Sequence, residues 1–71
     1  MFKKICIVNG NELKIDEMEF HLDDLVKKIL KDKKIKVAVA VNNILVQKSD
    51  WKKKKILNGD VIEIVQPFFG G

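Results

Sequence analysis

Hydrophobic and polar positions alternate at first along this chain, then change period, then alternate again. From Phe2 to Val8 the chain mixes β-branched residues with lysines, which predicts a first strand. Asn9-Gly10 follows, a pair whose members both accept positive φ, and this predicts a tight hairpin. Leu13 and Ile15 then share one face of a short return strand, with Glu12 and Lys14 on the other. Residues 22–31 switch to helical spacing. Leu22, Leu25, Val26, Ile29 and Leu30 fall at i, i+3, i+4, i+7 and i+8, one apolar stripe of an amphipathic helix. Asp23 and Asp24 occupy its first turn and Lys27, Lys28 and Lys31 its later ones, as the helix dipole favours. Asp23–Lys27 and Asp24–Lys28 are also spaced as i,i+4 pairs. His21 stands where a capping Ser or Thr is expected and marks the helix boundary.

Alternation returns at residues 36–41, with Val37, Val39 and Val41 on one side and Lys36, Ala38 and Ala40 on the other. Asn42-Asn43 can turn the chain into a short strand, Ile44 to Val46. The stretch "KSDWKKKKIL" breaks the pattern and predicts a loop or a single helical turn. "NGD" at 58–60 turns into a last strand, Val61 to Val65, on which Ile62 and Ile64 face opposite to Val61, Glu63 and Val65. Pro67 ends the ladder, having no N–H to donate. The order is β-β-α-β-β-β, without an internal repeat. One helix covers one face, and a right-handed crossover leads from the first hairpin to the third strand. The economical arrangement is an α+β fold of the β-grasp, or ubiquitin-like, type. It has a mixed sheet of four to five strands, one main helix on one face, and the first and last strands side by side in the centre. The helix is expected over Val37, Val39, Ile62 and Ile64, leaving Val61, Val65 and Phe69 on the open face. Phe68 shares the inward parity. Residues 1–66 are read as the domain and residues 67–71 as a flexible tail ending in Gly-Gly.

Length and composition narrow the function. Seventy-one residues make one domain with little room for a deep pocket, which weighs against an enzyme. The net charge of +4 comes from lysine alone, whereas nucleic-acid readers lean on arginine for bidentate contacts. The basicity, including the run Lys52 to Lys55, therefore reads as a solvated surface, and no nucleic-acid partner is expected. Cys6 is a lone cysteine within "ICIV", a buried small hydrophobe by context rather than a reactive thiol. The first residues lack the long apolar run of a secretion signal, and no stretch approaches a membrane span. The expected location is the cytoplasm, with no membrane partner.

The chain stops at "PFFGG", and two glycines pack least and order at the greatest entropic cost of any residue. A β-grasp whose last strand runs into a free Gly-Gly resembles the ubiquitin-like sulfur carriers, and within them the ThiS family of thiamine biosynthesis. The resemblance covers nearly the whole chain. It rests on "VNGNELKI", the helix "LDDLVKKIL", the strand-turn-strand "VAVAVNNILVQKSDW" and the terminal block "LNGDVIEIVQPFFGG". His21 departs from the usual Ser or Thr cap, and the four-lysine run is unusually basic.

The resemblance implies a protein co-substrate rather than an enzyme. The C-terminal carboxylate of Gly71 is adenylated by a ThiF-like partner using ATP, with no cofactor bound to the carrier itself. A persulfide donor then converts it to a thiocarboxylate, which gives its sulfur to a ThiG-like thiazole synthase. Gly70 suits threading, since a residue without Cβ passes a narrow channel at any φ and ψ. Strand parity, separately, leaves Val61, Val65 and Phe69 as exposed apolar residues near the tail, and they are the expected docking residues. Alternatives are a molybdopterin-synthase small subunit, which shares the fold and the tail, and a protein-conjugating ubiquitin-like modifier. From a different class comes a β-grasp RNA-binding module, which has no reason to end in Gly-Gly.

Overall fold

The computed structural model describes residues 4–30 and 36–66. Two type I′-like hairpins and one helix account for half of them. Strands β1 (Lys4–Val8) and β2 (Asn11–Ile15) pair antiparallel across Asn9 and Gly10, at φ 49° and 84°. Strands β3 (Ala38–Val41) and β4 (Ile44–Val46) pair across Asn42 and Asn43, at φ 52° and 69°. Asparagine and glycine tolerate this left-handed region, which matches the twist of the flanking strands. The last strand, β5 (Val61–Val65), lies between the hairpins. It runs parallel to β1, with Val8 opposite Ile62, and antiparallel to β3, with Val39 opposite Ile64. The five strands are ordered β2-β1-β5-β3-β4, which is the mixed β-grasp sheet with its first and last strands adjacent.

Helix α1 (Leu22–Ile29) packs on one face. Its buried residues Leu22, Leu25 and Val26 meet Cys6, Val8, Ile15, Val39, Val41 and Ile62 in the core, as the strand parities require. The helix is shorter than the apolar stripe suggests. The chain becomes extended at Leu30 (φ −98°, ψ 104°), and Leu30 packs on the core while Ile29 is 39% exposed. Asp23 pairs with Lys27 at 3.1 Å, but Asp24 turns back to the cap, where its carboxylate accepts the His21 N–H at 3.1 Å.

His21 is indeed the residue that starts the helix, and the structure explains how an imidazole can stand there. The first N–H groups of a helix need outside acceptors. Here Leu22 N–H donates to the Lys54 carbonyl at 2.7 Å and Asp23 N–H to the Trp51 carbonyl at 3.1 Å. The segment after β4 supplies the cap from a distance. It contains a 3-10 turn (Lys48–Asp50), and Trp51 and Ile56 are buried beside Phe20. The Trp51 indole donates to the Val46 carbonyl at 3.0 Å, so the ring is buried with its polar atom satisfied. The side chains of Lys52 to Lys55 all face solvent.

Candidate functional site: the open sheet face along the last strand

Because side chains alternate along a strand, the face that α1 leaves uncovered is fixed by the register. On β5 it carries Val61, Glu63 and Val65. Their neighbours are Ile7 beside Val61, Ala40 beside Glu63 and Ala38 beside Val65, with Leu45 across from Ala40 on β4. Val61 is 44% exposed, Val65 56% and Leu45 68%. The two alanines keep the sheet floor low. A shallow hollow of about 230 Å³ results, lined by Ala38, Ala40, Asn43, Leu45, Glu63 and Val65. The hollow is open and largely apolar, with the Glu63 carboxylate and the Asn43 amide at its edge. The expected docking residues Val61 and Val65 thus share this face, two positions apart on either side of Glu63. Phe69 lies outside the described residues, as do Phe68, Gly70 and Gly71. Ala38, Ala40, Leu45 and Glu63 join the face without having been singled out from the sequence. The signal for Ala38, Ala40 and Glu63 was the outward parity of β3 and β5, and pairing with β4 is needed to bring Leu45 beside them.

The strand that leads toward the C terminus is fastened along both edges by turn residues. On the β3 side, Asn42 N–H donates to the Val61 carbonyl at 2.7 Å, and Val61 N–H donates to Asn42 Oδ1 at 2.9 Å. Asn42 Nδ2 also donates to Asp60 Oδ1 at 3.0 Å, while Asp60 Oδ2 accepts the Leu57 N–H at 2.8 Å. Asp60 is therefore a buried carboxylate with both oxygens bonded, as burial demands. On the β1 side, Ile5 N–H donates to Asn58 Oδ1 at 2.8 Å, and Gly59 N–H to the Ile5 carbonyl at 2.7 Å. Gly59 holds φ 88°, a conformation that lets the chain turn into β5 there.

Cys6 is fully buried beneath this sheet. Burial pushes its thiol pKa up, and the Asp60 carboxylate adds to the rise. A thiol held protonated and out of solvent is a poor nucleophile. Among the described residues, no group of three His, Cys, Asp or Glu side chains is placed to hold a metal ion, and no helix is long and apolar enough to cross a membrane.

Comparison with known proteins bears on this geometry. The chain superposes on the crystal structure of a thiamine biosynthesis protein (ThiS) from Geobacter metallireducens with a TM-score of 0.80, at 19% identity, covering 94% of this chain and 99% of that one. A solution structure of a thiamine biosynthesis protein from the same organism gives a TM-score of 0.73 at 19% identity, covering 94% of this chain and 87% of that one. These likenesses establish the fold. Comparison with curated proteins gives no significant match. The ThiS family model matches residues 3–71, from the first strand through the terminal Gly-Gly. The chain therefore belongs to the ThiS family, the small sulfur carriers of thiamine biosynthesis.

Proposed function

We propose that this protein carries sulfur as a thiocarboxylate on Gly71. A ThiF-like enzyme joins the Gly71 carboxylate to AMP, using ATP and releasing pyrophosphate. A persulfide sulfur then attacks the acyl carbon and expels AMP, leaving an acyl disulfide. A second thiol takes the outer sulfur into a new disulfide and frees the chain as –COS⁻. The ionised sulfur is the nucleophile that a ThiG-like thiazole synthase consumes. A carboxylate is a poor electrophile, so the adenylate supplies the leaving group the first substitution needs.

The observation that carries this reading is the union of family membership with the shape of β5. Its outward valines lie on an exposed face around Glu63, and the same strand, fastened on both edges, ends at Val65, six residues before Gly71. A partner gripping that face would hold the chain close to where its C terminus departs. The buried Cys6 offers no alternative sulfur site. ATP belongs to the adenylating enzyme, and the carrier needs no cofactor of its own. Its working place is the cytoplasm, where that enzyme and ATP are found together.

Intact mass spectrometry tests the chemistry. The chain incubated with its ThiF-like enzyme, ATP and a persulfide source should gain the mass of one oxygen exchanged for sulfur, localised to Gly71. Retention of the original mass under conditions where the enzyme consumes ATP with another carrier would reject it. Isopeptide adducts on other proteins would instead favour the modifier reading, and co-purification with a molybdopterin synthase large subunit would favour the molybdopterin branch.

The docking face is tested separately. Val65→Asp replaces an exposed apolar contact with a charge, and losing the burial of one valine is worth ~1.5 kcal/mol or more, about tenfold in affinity. Calorimetric titration against the ThiF-like enzyme should show at least that loss, with the melting temperature preserved because Val65 lies outside the core. Phe69→Asp should act in the same direction. Unchanged affinity for both variants would move the contact surface to the lysines at 52–55.

A further inference from the structure

The parallel ladder between β1 and β5 ends sooner than β5 does. Ile7 N–H donates to the Asp60 carbonyl at 2.9 Å and Asn9 N–H to the Ile62 carbonyl at 2.9 Å. At Asn9 the chain leaves β5 for the hairpin turn, with φ 49°. In a continuing parallel ladder the next bonds would join Ile64 to the carbonyl of residue 9 and the N–H of residue 11. Those two groups have turned away into the β1–β2 hairpin, where Val8 faces Asn11. The Asn9 side chain takes their place. Its Oδ1 accepts the Ile64 N–H at 2.8 Å and its Nδ2 donates to the Ile64 carbonyl at 3.1 Å.

A primary amide has the same donor and acceptor as a peptide group, so one side chain completes the rung that the backbone vacates. Asparagine also tolerates the positive φ of the turn. Glutamine would carry the amide one methylene too far out, and aspartate would set an anion against the Ile64 carbonyl. Ile64 is the last residue of β5 with both main-chain groups held on this edge. On the opposite edge β3 pairs as far as Val65, across from Ala38. The strand is thus held between two partners up to the point where the chain goes on to Gln66 and the C terminus.

We propose that Asn9 is a positioning residue for the carrier reaction: its amide fixes the end of β5, and so the place and direction from which the C-terminal segment starts toward the adenylating enzyme. This rests on the carrier reading above. Docking and positioning then separate, since the open face holds the partner and Asn9 aims the strand. A clamp of this kind acts on kcat, through the placement of the reacting carboxylate, rather than on KM.

Two measurements on the full chain test it, with Asn9→Gly as the main variant because glycine keeps the positive-φ turn and removes only the amide. In amide hydrogen exchange followed by NMR, the Ile64 N–H should exchange about tenfold faster than in the unmodified chain, the scale of one lost hydrogen bond. The Asn42 and Leu25 amides, bonded to Val61 and His21, serve as references that should not change. With the ThiF-like enzyme and ATP, kcat for adenylation should fall about tenfold while KM stays within about twofold. Asn9→Asp, which loses the donor and sets a carboxylate against the Ile64 carbonyl, should also speed Ile64 exchange and lower kcat, and it replaces the glycine variant should that one unfold. An unchanged Ile64 exchange rate overturns the clamp. Faster exchange with unaltered kcat overturns the positioning role. Failure of the unmodified chain to be adenylated overturns the carrier reading and the positioning role with it, while the exchange measurement still judges the clamp on its own.

Discussion

Removing Gly71 is expected to abolish ATP-dependent adenylation while leaving the melting temperature unchanged. The reactive atom in the proposed chemistry is the carbon of the terminal carboxylate, and one residue of extended chain spans about 3.3–3.6 Å. Reacting atoms must approach to about 3–3.5 Å, and a misplacement of about 1 Å already costs on the order of a hundredfold. Shortening the chain by one residue therefore exceeds the tolerance several times over. Appending one residue after Gly71 should be as damaging, because it replaces the carboxylate at that position with a peptide carbonyl. Gly70→Val should come close to both, since a β-branched side chain restricts the backbone and widens it where it must be threaded. The described core is built from residues between Cys6 and Ile64, so none of these changes touches it. Pyrophosphate exchange driven by the ThiF-like enzyme measures the activation and a thermal melt measures the fold. A truncated chain adenylated as well as the full one would make the two glycines a loose end and remove the basis of the carrier reading.

What the sequence made legible follows the reach of each signal. Strand period, turn chemistry and helical stripe are local, so both hairpins, the helix start at His21 and the alternation of β5 could be read from residues within a few positions of each other. The placement of β1 beside β5 followed from connectivity, since five strands and one helix leave few economical arrangements. Val61 and Val65 were legible as outward residues for the same reason of period. Ile29 was not legible as exposed, because the stripe extends past the position where the chain turns extended at Leu30. The segment from Trp51 to Ile56 looked like a polar interruption. Two of its residues are core, and its carbonyls cap the helix, contacts made across about thirty residues of sequence that no window reveals. Asn9 shows the limit most clearly. "NG" announces a turn and explains the residue completely at that range, and its second task appears only when Ile64, 55 residues later, lies beside it.

The second large effect is on stability. Leu25 is fully buried, is one of three buried residues that α1 contributes, and faces the centre of the sheet with Leu22 and Val26. Leu25→Ala removes three carbons from that contact and leaves a cavity, at a cost of ~2–5 kcal/mol. A 71-residue domain at ordinary stability per residue holds only about 4–10 kcal/mol in total. The substitution should therefore take away a large part of the margin, lowering the melting temperature by on the order of 10 °C or more, or abolishing the cooperative transition altogether. Ile29 occupies the same stripe one turn later but is 39% exposed, so Ile29→Ala should cost clearly less than Leu25→Ala. Lys53→Ala, on the exposed side of the capping segment, should stay within about 0.5 kcal/mol. The ordering of the three is the decisive result, because it follows from how α1 is rotated on the sheet rather than from hydrophobicity alone. If Ile29→Ala lowered the melting temperature as much as Leu25→Ala, α1 would have to lie with its last turn over the core. The chain could not then be extended at Leu30, and the helix placement described here would be wrong.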